Sequence, residues 1–144
     1  MNENYMFINT FMIAYFYTLT NYLHNNKYIT YAMEDYLEMI YREYHLNHKI
    51  TITSLSNLLN VKKSSCSKMI SKLKNLNLVY AKKSISLTKS GIILGIYLFK
   101  RHLIISIFLK KLNSQNYSLN QVEKIEHFID PLTLTNIKNL LPKI

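Results

Sequence analysis

Apolar positions recur at helical steps over most of this chain. Across residues 31–44, Ala32, Tyr36, Met39, Ile40 and Tyr44 fall at intervals of three and four, which predicts an amphipathic helix. Thr30 stands where an N-cap is needed, and Glu34 and Asp35 in the first turn suit the positive end of the helix dipole. Residues 50–52 read as a short β-type connector, and Leu55, Leu58 and Leu59 mark a second, short helix. Asn60-Val61-Lys62-Lys63 forms a turn, after which Ser64 is expected to cap a third helix over residues 64–76. That helix turns Cys66, Met69, Ile70, Leu73 and Leu76 to one side and Ser65, Ser67, Lys68, Ser71, Lys72 and Lys74 to the other. Two short helices across a tight turn, the second with a Ser/Lys outer face, make the helix-turn-helix arrangement.

The period then changes. Residues 78–80 and 85–87 predict two strands around Lys82-Lys83-Ser84, a small basic hairpin in the position of a wing. Thr88-Lys89-Ser90-Gly91 opens a long helix to about residue 112. Ser118 and Gln121 have the capping-box spacing for a helix running to about Asp130, where Pro131 stops it, and residues 132–141 form a last short helix. The expected fold is mainly α: a winged helix-turn-helix domain over residues 30–91, then an all-helical dimerisation domain over 92–144. Residues 1–29, rich in Asn, Tyr and Phe, stand apart as an N-terminal extension. Its apolar run, residues 6–20, is shorter than the ~20 residues of a membrane span and carries Asn9, Thr10, Thr18 and Thr20. A second apolar run, residues 92–109, is broken by Lys100-Arg101-His102. Neither is a convincing anchor, and no membrane partner is expected.

Charge sharpens the picture. The 144 residues carry 18 Lys+Arg against 8 Asp+Glu, a formal net charge of +10, which favours an anionic partner. No acid lies between Glu43 and Glu123, while residues 49–111 supply thirteen positive charges. A solvated face usually mixes signs, so this block points to anion binding. A lone cysteine, Cys66, excludes an intramolecular disulfide or a cysteine zinc finger and suits the reducing cytoplasm. Two glycines and no glycine-rich phosphate motif argue against a nucleotide-using enzyme.

The acids form a second pattern. Asp35 and Glu38 share one face of the first helix, while Glu123, Glu126 and His127 fall at i, i+3 and i+4 of a later one. His102 lies between them in sequence. Taken singly, the first pair reads as dipole compensation and the second group as a solvated face. Taken together they hold half of all the acids in a basic protein. Gathered carboxylates repel unless something positive joins them, and four of them would balance two divalent cations, with His102 and His127 adding nitrogen ligands. Such an oxygen-rich set with some imidazole suits Mn²⁺ or Fe²⁺.

Met33-Glu34-Asp35-Tyr36-Leu37-Glu38-Met39-Ile40-Tyr41, the helix-turn-helix and wing, Tyr97…Arg101-His102 and Val122-Glu123-Lys124-Ile125-Glu126-His127 follow in that order. In this the chain resembles the diphtheria toxin repressor family of metal-dependent transcription regulators, in its manganese-responsive branch, over roughly residues 31–141. The resemblance implies that Asp35, Glu38, His102, Glu123, Glu126 and His127 hold two Mn²⁺ per chain, with Fe²⁺ as the other candidate metal. Asp35 and Glu123 discriminate, because the iron-responsive branch carries Met and Cys there. It further implies a cytoplasmic homodimer that grips a palindromic double-stranded DNA operator when metal binds and represses metal-uptake genes. Neither a small-molecule substrate nor an enzymatic activity is implied.

On DNA, Ser64, Ser65, Ser67, Lys68 and Lys72 are the expected contacts of the recognition helix, with Lys62, Lys63, Lys82 and Lys83 on phosphates. Cys66 and Tyr97 are expected in the core, and His24, His45 and His48 receive no role. The chain departs from the family in a short wing without a tip glycine and in Leu103, where a charged residue is common. The family's larger members carry an SH3-like domain with no counterpart in these residues. The stretch 1–29 precedes the usual family start: either a lineage-specific, disordered arm or a start site assigned too far upstream, since Met33 stands where members begin. Three other readings remain at this level: a metal-independent winged-helix regulator, an iron-responsive regulator of the same family, and a basic membrane-associated protein.

Overall fold

The computed structural model describes residues 28–143, so the apolar run 6–20, His24 and nearly all of the expected extension lie outside the described residues. The chain divides into two compact units, Lys27–Phe99 and one that contains Lys100–Ile144.

In the first unit, Thr30 caps helix α1 (Tyr31–His45) as expected, its hydroxyl accepting from the Met33 amide at 3.3 Å. Helix α2 (Ile52–Leu58) is capped by Thr51 in a reciprocal box with Ser54, so Ile52 belongs to a helix instead of the expected extended connector. Ile50 alone keeps β character, accepting from the Ile85 amide at 2.8 Å. Helix α3 (Lys63–Asn75) starts one residue earlier than the sequence suggests. Lys62 is the N-cap, without a side-chain hydrogen bond, and Ser64 lies inside the first turn. Strands β1 (Val79–Ala81) and β2 (Ile85–Leu87) pair antiparallel, Tyr80 opposite Ser86, with Lys82 to Ser84 at the tip.

All three helices of this unit end alike. Asn47, Asn60 and Asn77 each adopt positive φ (56°, 52° and 56°) directly after the C-cap. The amide beyond each reaches back to a carbonyl of the last turn: His48 to Glu43, Val61 to Ser56, Leu78 to Leu73. This closes the orphan carbonyls that any helix end leaves, with asparagine in the left-handed position that glycine usually takes. The core of the unit comprises Leu37, Ile40, Leu55, Cys66, Ile70, Leu73 and Val79 among others, all buried.

Helix α4 (Lys89–Asn113) is shared between the units. Thr88 caps it by accepting from the Gly91 amide at 3.0 Å while donating to the Asn77 carbonyl at 2.7 Å, so one hydroxyl ties the start of α4 to the end of α3. Both glycines of the chain lie in α4 at close approaches. A Cβ on Gly91 would land on the Leu78 carbonyl oxygen, and one on Gly95 would meet the Tyr41 Cβ at 2.8 Å. Helix α4 is long and apolar enough to cross a membrane by length and composition. Leu94, Tyr97, Leu98 and Ile105 are nevertheless buried, as are Arg101 and His102 midway along it.

The second unit continues with a 3₁₀ turn (Ser114–Asn116), helix α5 (Leu119–Ile125), a 3₁₀ turn (Glu126–Phe128), helix α6 (Pro131–Leu140) and a terminal 3₁₀ turn (Leu141–Lys143). Two expectations fail here. Ser118 takes the N-cap position without a side-chain bond, because the Gln121 amide turns to the Ser118 carbonyl (3.1 Å) instead of its hydroxyl. The expected helix to Asp130 also stops at Ile125. Asp130 instead accepts from the Thr133 amide at 3.0 Å as the cap of α6, with Pro131 at the first helical position. Those bonds hold the Asp130 carboxyl below its usual range.

Candidate metal centre and nucleic-acid interface

The residues expected to face DNA are all on the first unit's surface: Lys62, Lys63, Ser64, Ser65, Ser67, Lys68 and Lys72 around α3, and Lys82 and Lys83 at the wing. The opposite side of α3 explains the orientation. Cys66, Ile70 and Leu73 are buried at i, i+4 and i+7, with Met69 and Leu76 half-buried beside them, and this apolar stripe turns the Ser/Lys face outward. Residues 44–99 contain nine lysines and no acid, so nothing in that stretch neutralises the face. Burial pushes the Cys66 thiol up, and burial followed by the nearby Cys66 pushes the Tyr36 hydroxyl up. Cys66 is therefore an inert core thiol, as expected from its place on the apolar side.

The acids of α1 divide by exposure. Asp35 is exposed and Glu38 is buried, its Oε1 accepting from the Arg42 guanidinium at 2.5 Å. Arg42 also lies over the Phe99 ring, 5.7 Å from the centroid. Sequence reasoning passed over Arg42, although its i, i+4 spacing from Glu38 is the signal that finds it. Glu34, read from sequence as a dipole-compensating acid, is only 1% exposed.

In the second unit the structure brings His102 and Glu126 together. The imidazole Nδ1 lies 2.8 Å from the Glu126 Oε2, and both residues are buried. Beside them Arg101, also buried, donates to the Nδ1 of His127 at 3.2 Å. Helix α5 ends at Ile125, and Glu126 and His127 lie in the 3₁₀ turn that continues from it; Glu126 is buried, His127 half-buried and Glu123 exposed. A buried carboxylate against an imidazole nitrogen is a hard-oxygen and borderline-nitrogen donor pair, and it fits a divalent cation of the Mn²⁺ or Fe²⁺ kind.

Comparison with known proteins bears on the family of the chain. Residues 28–86 match the family model described as "Iron dependent repressor, N-terminal DNA binding domain". The chain is 31% identical over 113 residues to the HTH-type transcriptional regulator MntR of Listeria welshimeri, covering 76% of this chain and 80% of that one. It belongs to the diphtheria toxin repressor family, in the branch of the MntR regulators. The MntR proteins of Lysinibacillus sphaericus (33%) and Bacillus subtilis (32%) match over the same 76% of the chain and cover 81% and 80% of their own lengths. Among solved structures of the family, that of the manganese regulator SloR superposes with a TM-score of 0.67 at 29% identity, over 78% of this chain. This chain spans about half, 54%, of the length of that solved chain. As a family member the protein is a winged-helix, mainly α transcription regulator, and its relatives are named as regulators rather than enzymes.

Proposed function

We propose that this protein is a manganese-responsive repressor of metal-uptake genes, active in the cytoplasm as a homodimer on a palindromic double-stranded operator. The buried His102–Glu126 pair carries this reading, because it places an unlike N/O donor pair out of solvent in a basic DNA-binding protein. The proposed ligands are Asp35, Glu38, His102, Glu123, Glu126 and His127, holding two Mn²⁺ per chain, with Fe²⁺ as the other metal the donor set admits. A bound divalent cation supplies the positive charge that lets these carboxylates share one centre. Asp35 and Glu38 bring α1, the first helix of the DNA-binding domain proposed over residues 30–91. The other four come from the metal-binding and dimerisation domain proposed over 92–144. Glu38 has to exchange the Arg42 guanidinium, and His127 the Arg101 one, for the new partner.

Ordering of the two domains is then coupled to DNA affinity, a shift between states that the metal and the operator both favour. Fixed spacing of two recognition helices is what a palindromic operator with half-sites a helical turn apart requires. Support for the dimer comes from the second unit, which exposes Ile107, Leu112, Phe128, Leu132 and Leu140, a large apolar share for a monomer's surface. The test is a titration of metal-stripped protein with Mn²⁺, followed by the EPR signal of the free ion. Two equivalents should be taken up per chain, and Glu123→Gln with Glu126→Gln should abolish uptake. Absence of uptake at micromolar metal would leave a metal-independent regulator.

A further inference from the structure

We infer that Lys68 is the base-reading residue of the recognition helix and that the base it selects is guanine, the neighbouring lysines serving the phosphates. The inference rests on the DNA-binding reading above and divides its lysines into two kinds. On α3 the residues opposite the buried stripe Cys66–Ile70–Leu73 are Ser64, Lys68, Ser71 and Asn75, at i, i+4, i+7 and i+11, and all four are exposed. Lys68 is the one cation on this outward line. Lys63, Lys72 and Lys74 flank it on the sides, where they meet the groove walls.

The other three residues of the line are weak readers. The Ser71 hydroxyl donates to the Ser67 carbonyl at 3.0 Å, so its proton is already committed. Ser64 is short and accepts either hydrogen-bond polarity, which makes it tolerant of any base pair. Asn75 ends the helix, whereas recognition helices present their N-terminal residues to the base edges. Lys68 has no ion-pair partner among the described residues. Its ammonium only donates, and guanine is the base that offers two acceptors, N7 and O6, to the major groove. Adenine sets an amino donor beside its N7, and cytosine presents a donor, so both repel an ammonium at close range.

The experiment selects binders from a randomised duplex pool with the Mn²⁺-loaded full chain, then measures salt dependence on the selected duplex. The native protein should favour guanine by about tenfold or more at one position per half-site. Lys68→Arg should keep that preference, and Lys68→Gln should move it to adenine, since Gln pairs with adenine N6 and N7. Lys72→Gln should keep guanine, weaken binding evenly across sequences, and lower the slope of log K against log salt by about 1. A guanine preference that survives Lys68→Gln overturns the inference, as does an even loss of binding to all duplexes in that variant. Retention of no duplex by the native protein overturns the DNA-binding reading itself. Circular dichroism of each variant separates these outcomes from unfolding, and the exposed site leaves the core untouched.

Discussion

The two units of this protein are built by different means. In the first, every helix is started or stopped by residues adjacent to it: Thr30 and Thr51 cap two N-termini, and Asn47, Asn60 and Asn77 close three C-termini. In the second, α5 has no side-chain cap and runs for seven residues before passing into a 3₁₀ turn. Its polar interior, His102 with Glu126, joins residues 24 apart in sequence. Local chemistry fixes the DNA-binding unit, while the candidate metal residues depend on contacts between distant segments.

The comparison can be broken most severely at α4. Gly91→Ala should destabilise the first unit by ~3 kcal/mol or more, because the new methyl meets backbone rather than a side chain that can turn away. Urea unfolding followed by circular dichroism measures it, and wild-type stability would show that the α4 start is looser than the close packing implies.

Next in size is the metal response of the second unit. At a hundredfold excess over its dissociation constant, Mn²⁺ should stabilise the protein by about 2.7 kcal/mol per site, and chelation should reverse this. Glu126→Gln should remove most of that gain while leaving the metal-free protein folded. A thermal melt with and without Mn²⁺ decides it, and an unchanged metal response in the variant would remove Glu126 from the ligand set.

Smaller again are the three helix stops. Asn47→Gly, Asn60→Gly and Asn77→Gly should each raise stability by up to ~1 kcal/mol, since glycine adopts positive φ without the Cβ penalty. Changing any of them to Val should lower it. Equal stability of the Gly and Val variants would show that the left-handed conformation does not matter there.

The smallest effect is one of pH. Asp130 has its carboxyl pKa depressed in the folded chain by the Thr133 amide and hydroxyl. Its contribution is therefore fully present above the unfolded carboxyl pKa of about 3.9 and is lost as pH falls through the lower folded value. Asp130→Asn should lower stability slightly at neutral pH, with the deficit closing as pH falls through that acid window, and a deficit that persists below the window would mean the cap acts through something other than charge.

Much of this was legible in the chain itself. The Thr30 cap, the apolar stripe of α3, the basic hairpin and the start of the long helix follow from spacing, because each depends on residues within one or two turns. The Leu-Asn pairs at 46–47, 59–60 and 76–77 carry the helix stops just as plainly, yet the turn at Asn60 was the one stop read from sequence. Ser64 and Ser118 misled for the converse reason. A hydroxyl at cap spacing caps only if the backbone turns its amide that way, and at Gln121 the amide chose the Ser118 carbonyl.

By itself, then, the sequence determined the order of elements, the outward Ser/Lys face, the unbroken positive charge and the kinds of ligand atom on offer. Tertiary structure alone decided which of those atoms meet. Spacing puts Glu123, Glu126 and His127 at i, i+3 and i+4, but it does not say that Glu126 is buried against His102 while Glu123 stays in solvent. The physical reason is that helical faces follow from a local period, whereas the burial of a polar pair is decided by how well distant partners compensate its lost hydration.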